Sequence, residues 1–222
     1  YTAEVPQPQP TIEIIPTQGT TAEPAFLPFD DWKEDVNILL YDNMYLFNNS
    51  GNMINVALDG LGLGDNTTNT KDAMGTFLAQ MNSGTQWDLI IIGGEFRDAI
   101  SGDYFDMLAD QVDNGVSAII EIWYIDQVYH GRIQPLMQRC GIALDRDWQM
   151  PQNANLNDYL VYLLEPSDPL FSNPNTISLL SPTFSHWWIL DVGDLVKKVP
   201  GSDAKILGGA YPKEYSSYGL IS

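Results

Sequence analysis

Cysteine is nearly absent from this chain: Cys140 stands alone, so no disulfide can form within it and any catalytic thiol must be that residue. Histidine is almost as scarce, with only His130 and His186, which leaves little material for an imidazole proton relay or a histidine-rich metal centre. Basic residues are few as well. The 10 Lys and Arg face 29 Asp and Glu, giving a formal net charge of -19 and a pI near 4.1. Such a surface repels phosphate backbones and anionic headgroups, and Lys197 and Lys198 form the one adjacent basic pair, so nucleic acid is not expected as a partner. The acidity suits colloidal solubility in a salty or extracellular setting. No apolar run reaches the ~18 residues that a membrane-spanning helix needs, and no internal repeat is visible.

What is present is the material for a core. Hydrophobic residues make up 44% of the 222 and aromatic ones 11%, enough for one globular domain with a large apolar interior. The first 35 residues differ from the rest. Pro6, Pro8, Pro10, Pro16, Pro24 and Pro28 punctuate them and no basic residue precedes Lys33, the composition of an extended, polyproline-like arm. The chain opens on Tyr1 without a charged, apolar leader, so the reading is an exported protein, periplasmic, cell-surface or extracellular, from which a signal peptide has been removed. Residues 1–35 form its tether and 36–222 its domain. Tyr218 to Ser222 reads as the start of a strand, which suggests a domain that continues further.

Two apolar runs, Leu89 to Gly94 and Ser117 to Asp126, are separated by a helix-length segment. Strands apolar on both faces and joined by a helical crossover belong inside a parallel sheet. Val36 to Tyr41 predicts an earlier strand, and Met53, Ile54, Ala57, Leu58 and Leu61 predict a helix ending at Gly62 and Gly64. Asp65 to Asn69 has room for a short edge strand. Thr70 is placed to cap a helix over Ala73, Met74, Phe77, Leu78 and Met81 that closes at Gly84. Ser101 likewise caps a helix that runs to Gly115, and a helix over Ile133, Leu136 and Met137 ends at Gly141. Beyond it, strands are predicted at Tyr159 to Leu164, near Trp187 to Leu190, and at Ala204 to Leu207. The whole is an α/β protein with a doubly wound, mostly parallel sheet in flavodoxin-like order, a three-layer sandwich.

Chemistry in such sheets sits at the carboxyl ends of the strands. Those ends carry Asp42 and Asn43, then Glu95, Phe96 and Arg97, then Trp123, Tyr124, Asp126 and Gln127. The passages WDLIIIGGEF, NGVSAIIEIWYIDQ, CGIAL and LLEPSDPLF resemble the class I glutamine amidotransferase-like superfamily, particularly its ThuA-like relatives, over approximately Val36 to Leu170. In catalytic members the resemblance implies a nucleophilic Cys on a G-x-C-x-G-x-Q strand-to-helix turn. The matching segment here is Glu121 to Gln127, and only Gln127 agrees. Trp123 stands at the nucleophile position, Glu121 and Ile125 replace the glycines, and a β-branched Ile125 does not suit a strained elbow. Cys140 lies too far along the chain to substitute and reads as a small buried hydrophobe. His186 lacks the acidic residue two positions on that the family shows, Trp188 standing there, and His130 reads as a surface residue.

No catalytic residue, metal ligand set or cofactor is therefore assigned. Asp59, Asp65 and Asn66, and Asp145 and Asp147, lack the D-x-[DN]-x-[DN]-G spacing of a calcium loop. Gly93 and Gly94 do not make a dinucleotide fingerprint. The remaining candidate is an acidic and aromatic edge of Asp42, Glu95, Phe96, Trp123, Tyr124 and Asp126, in which carboxylates beside aromatic faces could hold a glycan. The expectation is a non-catalytic amidotransferase-like domain, a binding or structural subunit of an exported or envelope assembly that meets protein partners in part through residues 1–35. A carbohydrate-active or other hydrolase using the acidic crevice is the alternative.

Overall fold

A computed structural model describes residues 29–43, 53–95, 103–122, 125–128, 132–149, 162–172, 176, 191–209 and 219–220. Its centre is a four-stranded parallel sheet. β1 (Ile38–Asp42) lies between β2 (Thr67–Asn69) and β3 (Leu89–Glu95), and β4 (Ser117–Ile122) follows β3, in the order β2-β1-β3-β4. The crossovers run through α2 (Met53–Gly60), α3 (Met74–Met81) and α4 (Asp103–Asp113). The first steps to one side of β1 and the next two to the other, so the strand order reverses between β1 and β3, as in a doubly wound, flavodoxin-like α/β fold.

The alternation of β1 explains both faces. Leu39 and Tyr41 join Ile90 and Ile92 of β3 in a core with Phe77 and Met81 of α3 and Tyr104, Phe105 and Leu108 of α4. Ile38 and Leu40 turn the other way, to Ile91, Leu58 of α2 and Leu63, with Trp32 packed against them. A strand covered on both sides must be apolar throughout, which is why Ile38, Leu39, Leu40 and Tyr41 are all fully buried. Each such side chain contributes about 1.5–3 kcal/mol through its transfer from water. Tyr41, Phe77, Tyr104 and Phe105 continue through the first core as a chain of ring contacts, with successive centroids 5.4, 6.3 and 4.2 Å apart.

Trp32 belongs to α1 (Phe29–Asp35), so the residues just before the first strand are a docked helix and not the end of the extended arm. Asn66 holds it by donating to the Lys33 carbonyl at 2.7 Å. The rest of the expected arm, residues 1–28, lies outside the described residues. Gly84, Gly115 and Gly141, expected to end helices, all have positive φ. Thr70 does not cap α3. That helix starts at Met74 behind Ala73, with no side-chain cap, while the Thr70 hydroxyl and N–H both donate to the Leu40 carbonyl at 3.0 and 2.8 Å. The buried end of β1 needs those donors more than the solvated helix start does.

After α5 (Ile125–Val128) and α6 (Ile133–Arg139) the chain leaves the parallel pattern. β5 (Ile142–Gln149) pairs antiparallel with β7 (Asp191–Lys198), which in turn pairs with β9 (Gly219–Leu220). β6 (Tyr162–Leu163) and β8 (Gly208–Gly209) form a separate two-stranded ribbon. The strand expected at Tyr159 to Leu164 is described only at Tyr162–Leu163, and residues 187–190 lie outside the described set, with β7 beginning at the next residue. Ala204 to Leu207 is not a strand, because the ladder to β6 starts only at Gly208. Among the described residues, no helix is long and apolar enough to cross a membrane.

Candidate functional site

The carboxyl edge of the parallel sheet is built from three strand ends. β1 finishes on Asp42, followed by Asn43, and both are buried, Asp42 to 2% exposure. The turn between β2 and α3 closes over them: the Asp42 N–H donates to the Lys71 carbonyl at 2.9 Å. Lys71 takes a left-handed φ of 52°, and its N–H is held by the Asn69 side chain at 2.7 Å.

β3 passes Asp42 at Gly93, its register partner, then shifts register so that Glu95 pairs with Ile122 of β4. Glu95 therefore ends its strand beyond the level of Asp42. Gly93 lets α2 approach closely, since a Cβ there would meet Cδ1 of Ile54, the far end of that side chain. Phe96, Arg97, Trp123 and Tyr124 lie outside the described residues, as do His130 and His186.

At the third strand end, α5 begins with Ile125, a core residue 3% exposed, followed by the half-buried Asp126. The Asp126 N–H donates to Oδ2 of Asp194 at 3.1 Å, a link from the parallel sheet to β7. Asp194 is buried and stands directly opposite Asp147 in the β5–β7 ladder. Carboxylates of α5, β5 and β7 thus meet at one junction. Burial pushes the Asp126 carboxyl above its ordinary pKa, the Asp147 charge raises it further, and backbone N–H groups of the first turn of α5, that of Gln127 first, pull it back. The cations of the second sheet attend to a different acid: Asp145 sits 3.4 Å from Lys197 and 3.6 Å from Arg146.

This junction was only half visible in the sequence. The sequence presents Asp147 only as a calcium-like pair with Asp145, and no local pattern marks Asp194. Asp145 is instead held by cationic side chains, and among the described residues no group of three or more His, Cys, Asp or Glu is placed to hold a metal ion.

Cys140 follows α6 and is exposed, not the buried hydrophobe expected of it. Its position explains the difference: it occupies the C-cap, where the helix has already turned out of the core. The side chain's surroundings still desolvate the sulfur enough to raise the thiol pKa, so the thiolate is a minor species at neutral pH.

The chain matches no protein-family model, no curated protein and no solved structure.

Proposed function

We propose that this chain is a non-catalytic, amidotransferase-like domain that serves as a binding or structural subunit of an exported, envelope-type assembly, with residues 1–35 contributing to partner contact. One observation carries the reading. The elbow pattern of an acyl-transfer enzyme needs a glycine where this chain has Ile125, and here Ile125 is buried in the core at the start of α5 while the next residue, Asp126, gives its N–H to the Asp194 carboxylate. Negative charge beside such a turn opposes an oxyanion intermediate. Asp126, Asp147 and Asp194 supply negative charge at that place. Cys140 supports the same conclusion, because its raised pKa is the reverse of what a nucleophilic thiol needs.

The test combines chemistry and capture. Incubation with glutamine and with an electrophilic glutamine analogue is expected to release no ammonia and to leave Cys140 unlabelled by mass spectrometry. Purification from the native source is expected to retain a partner in fixed stoichiometry. Ammonia release abolished by Cys140→Ser, or a native protein that is strictly monomeric, overturns the proposal.

The hydrolase reading has one observation in its favour. A carboxyl whose pKa is raised by burial beside a second carboxylate is the kind of pairing that glycosidic acid catalysis uses, and Asp126 beside Asp147 has that character. The buried position of Asp42 weighs against a wide acidic crevice that includes it. Glycoside turnover that disappears in Asp126→Asn would favour this second reading.

A further inference from the structure

The parallel sheet is unevenly covered. On the face that receives α1 and α2, the buried cluster includes residues of β1 and β3 but none of β4. Ile119 of β4 is the direct register partner of Ile91, yet Ile91 is 6% exposed and Ile119 57%. Met53 and Val56 of α2 are also exposed on this side of the sheet. In a doubly wound sheet a further strand would flank β4, but β5 turns away to pair with β7, and among the described residues β4 pairs only with β3. The sequence of β4, SAIIEI, offers little to discourage an incoming strand: one Glu and no Lys or Pro.

We propose that Thr11 to Ile15 of the same chain adds as a fifth strand along the outer edge of β4, with Ile12 and Ile14 laid beside Ile119. The segment TIEII is rich in β-branched residues and is bounded by Pro10 and Pro16, which would stop the pairing at both ends. Ile12 and Ile14 share one face of an extended strand.

Reach is ample. The chain from Pro16 to Pro28 spans up to about 40 Å when extended, whereas crossing from β2 to a strand outside β4 takes about 19 Å at ordinary strand spacing. The arm is also anchored on the correct face, since Trp32 of α1 packs into the cluster that stops short of β4. A second copy of the chain is the weaker occupant, because two molecules of charge -19 repel. A tethered segment meets the edge at an effective concentration in the millimolar range. The inference goes beyond the partner reading and does not depend on it.

Two measurements test it, both on the full chain. In a Cys140→Ser background, Ile14→Cys or Ile12→Cys is paired with Ile119→Cys and oxidised. The expected product is an intramolecular disulfide in most molecules, while Thr2→Cys with Ile119→Cys gives little. No bridge, or bridges only between molecules, overturns the proposal. Independently, replacing Ile12, Ile14 and Ile15 by Ser should speed amide hydrogen exchange within β4 about tenfold, with β1 unchanged. Unchanged exchange in β4 overturns it too.

Discussion

At the scale of single residues, the junction of Asp126, Asp147 and Asp194 is where the fold accepts an electrostatic cost. Asp147 and Asp194 face each other across an antiparallel ladder, a placement that is unfavourable for like charges. Asp126 adds a third carboxyl, whose pKa is raised first by burial and then by Asp147. An acid that holds its proton more tightly in the folded state contributes stability below its unfolded pKa of about 3.9 and loses that contribution as pH rises through its folded pKa. Asp126→Asn keeps an acceptor for the Gln127 N–H and removes the charge. The variant is therefore expected to exceed the parent in stability at pH 7, by about 0.5 kcal/mol, with the difference vanishing at the acid end. Denaturant unfolding at a series of pH values reads this directly. A variant less stable than the parent at pH 7 would show that the charge of Asp126 is favourably compensated.

At the scale of elements, α2 sits on the sheet through a close contact that can be weighed. A methyl added at Gly93 would run into Cδ1 of Ile54, the mobile end of that side chain, so Gly93→Ala should cost about 1–2 kcal/mol through overpacking. Ile54→Val removes the offending atom. The double variant should recover most of the loss, and a thermal-unfolding double-mutant cycle is expected to give a coupling of about 1 kcal/mol. Purely additive effects would mean that α2 shifts as a body instead.

The elements that could be read from the sequence are those with unbroken periodicity. β1, β3 and β4 are buried between layers and so appear as apolar runs, and α3 and α4 carry full stripes that end at positive-φ glycines. β5 was not legible because its register shifts between Leu144 and Arg146, which leaves Asp145 as an extra residue. Such a bulge reverses which alternate side chains face inward. The run IALDRDWQ consequently loses the period of two that announces a strand. The same break hid the acidic junction, since only the β5–β7 pairing brings Asp147 to Asp194. Thr70 failed as a predicted cap for a related reason: the demand of the Leu40 carbonyl comes from 30 residues away, which no local pattern records.

At the scale of the whole molecule, the charge of -19 competes with the ion pairs that the few cations make. Arg139 and Asp113 meet at 2.7 Å, Arg132 and Asp106 at 2.9 Å, and Lys33 and Asp30 at 2.8 Å, all partly exposed. Exposed pairs of this kind contribute little, because water and salt screen them and holding two long side chains in place costs entropy. The general repulsion among the acids acts over longer distances. At about 0.01 M ionic strength the Debye length is roughly 30 Å, comparable with the molecule, so nearly every pair of carboxylates is felt. At about 0.5 M it falls to roughly 4 Å, which removes the long-range repulsion while pairs in direct contact keep much of their attraction. Repulsion is thus the term that salt removes most completely, and Tm is expected to rise as sodium chloride is added across that range. Differential scanning calorimetry at neutral pH tests it, and a Tm that falls with salt would show that the contact pairs outweigh the net charge in holding this fold together.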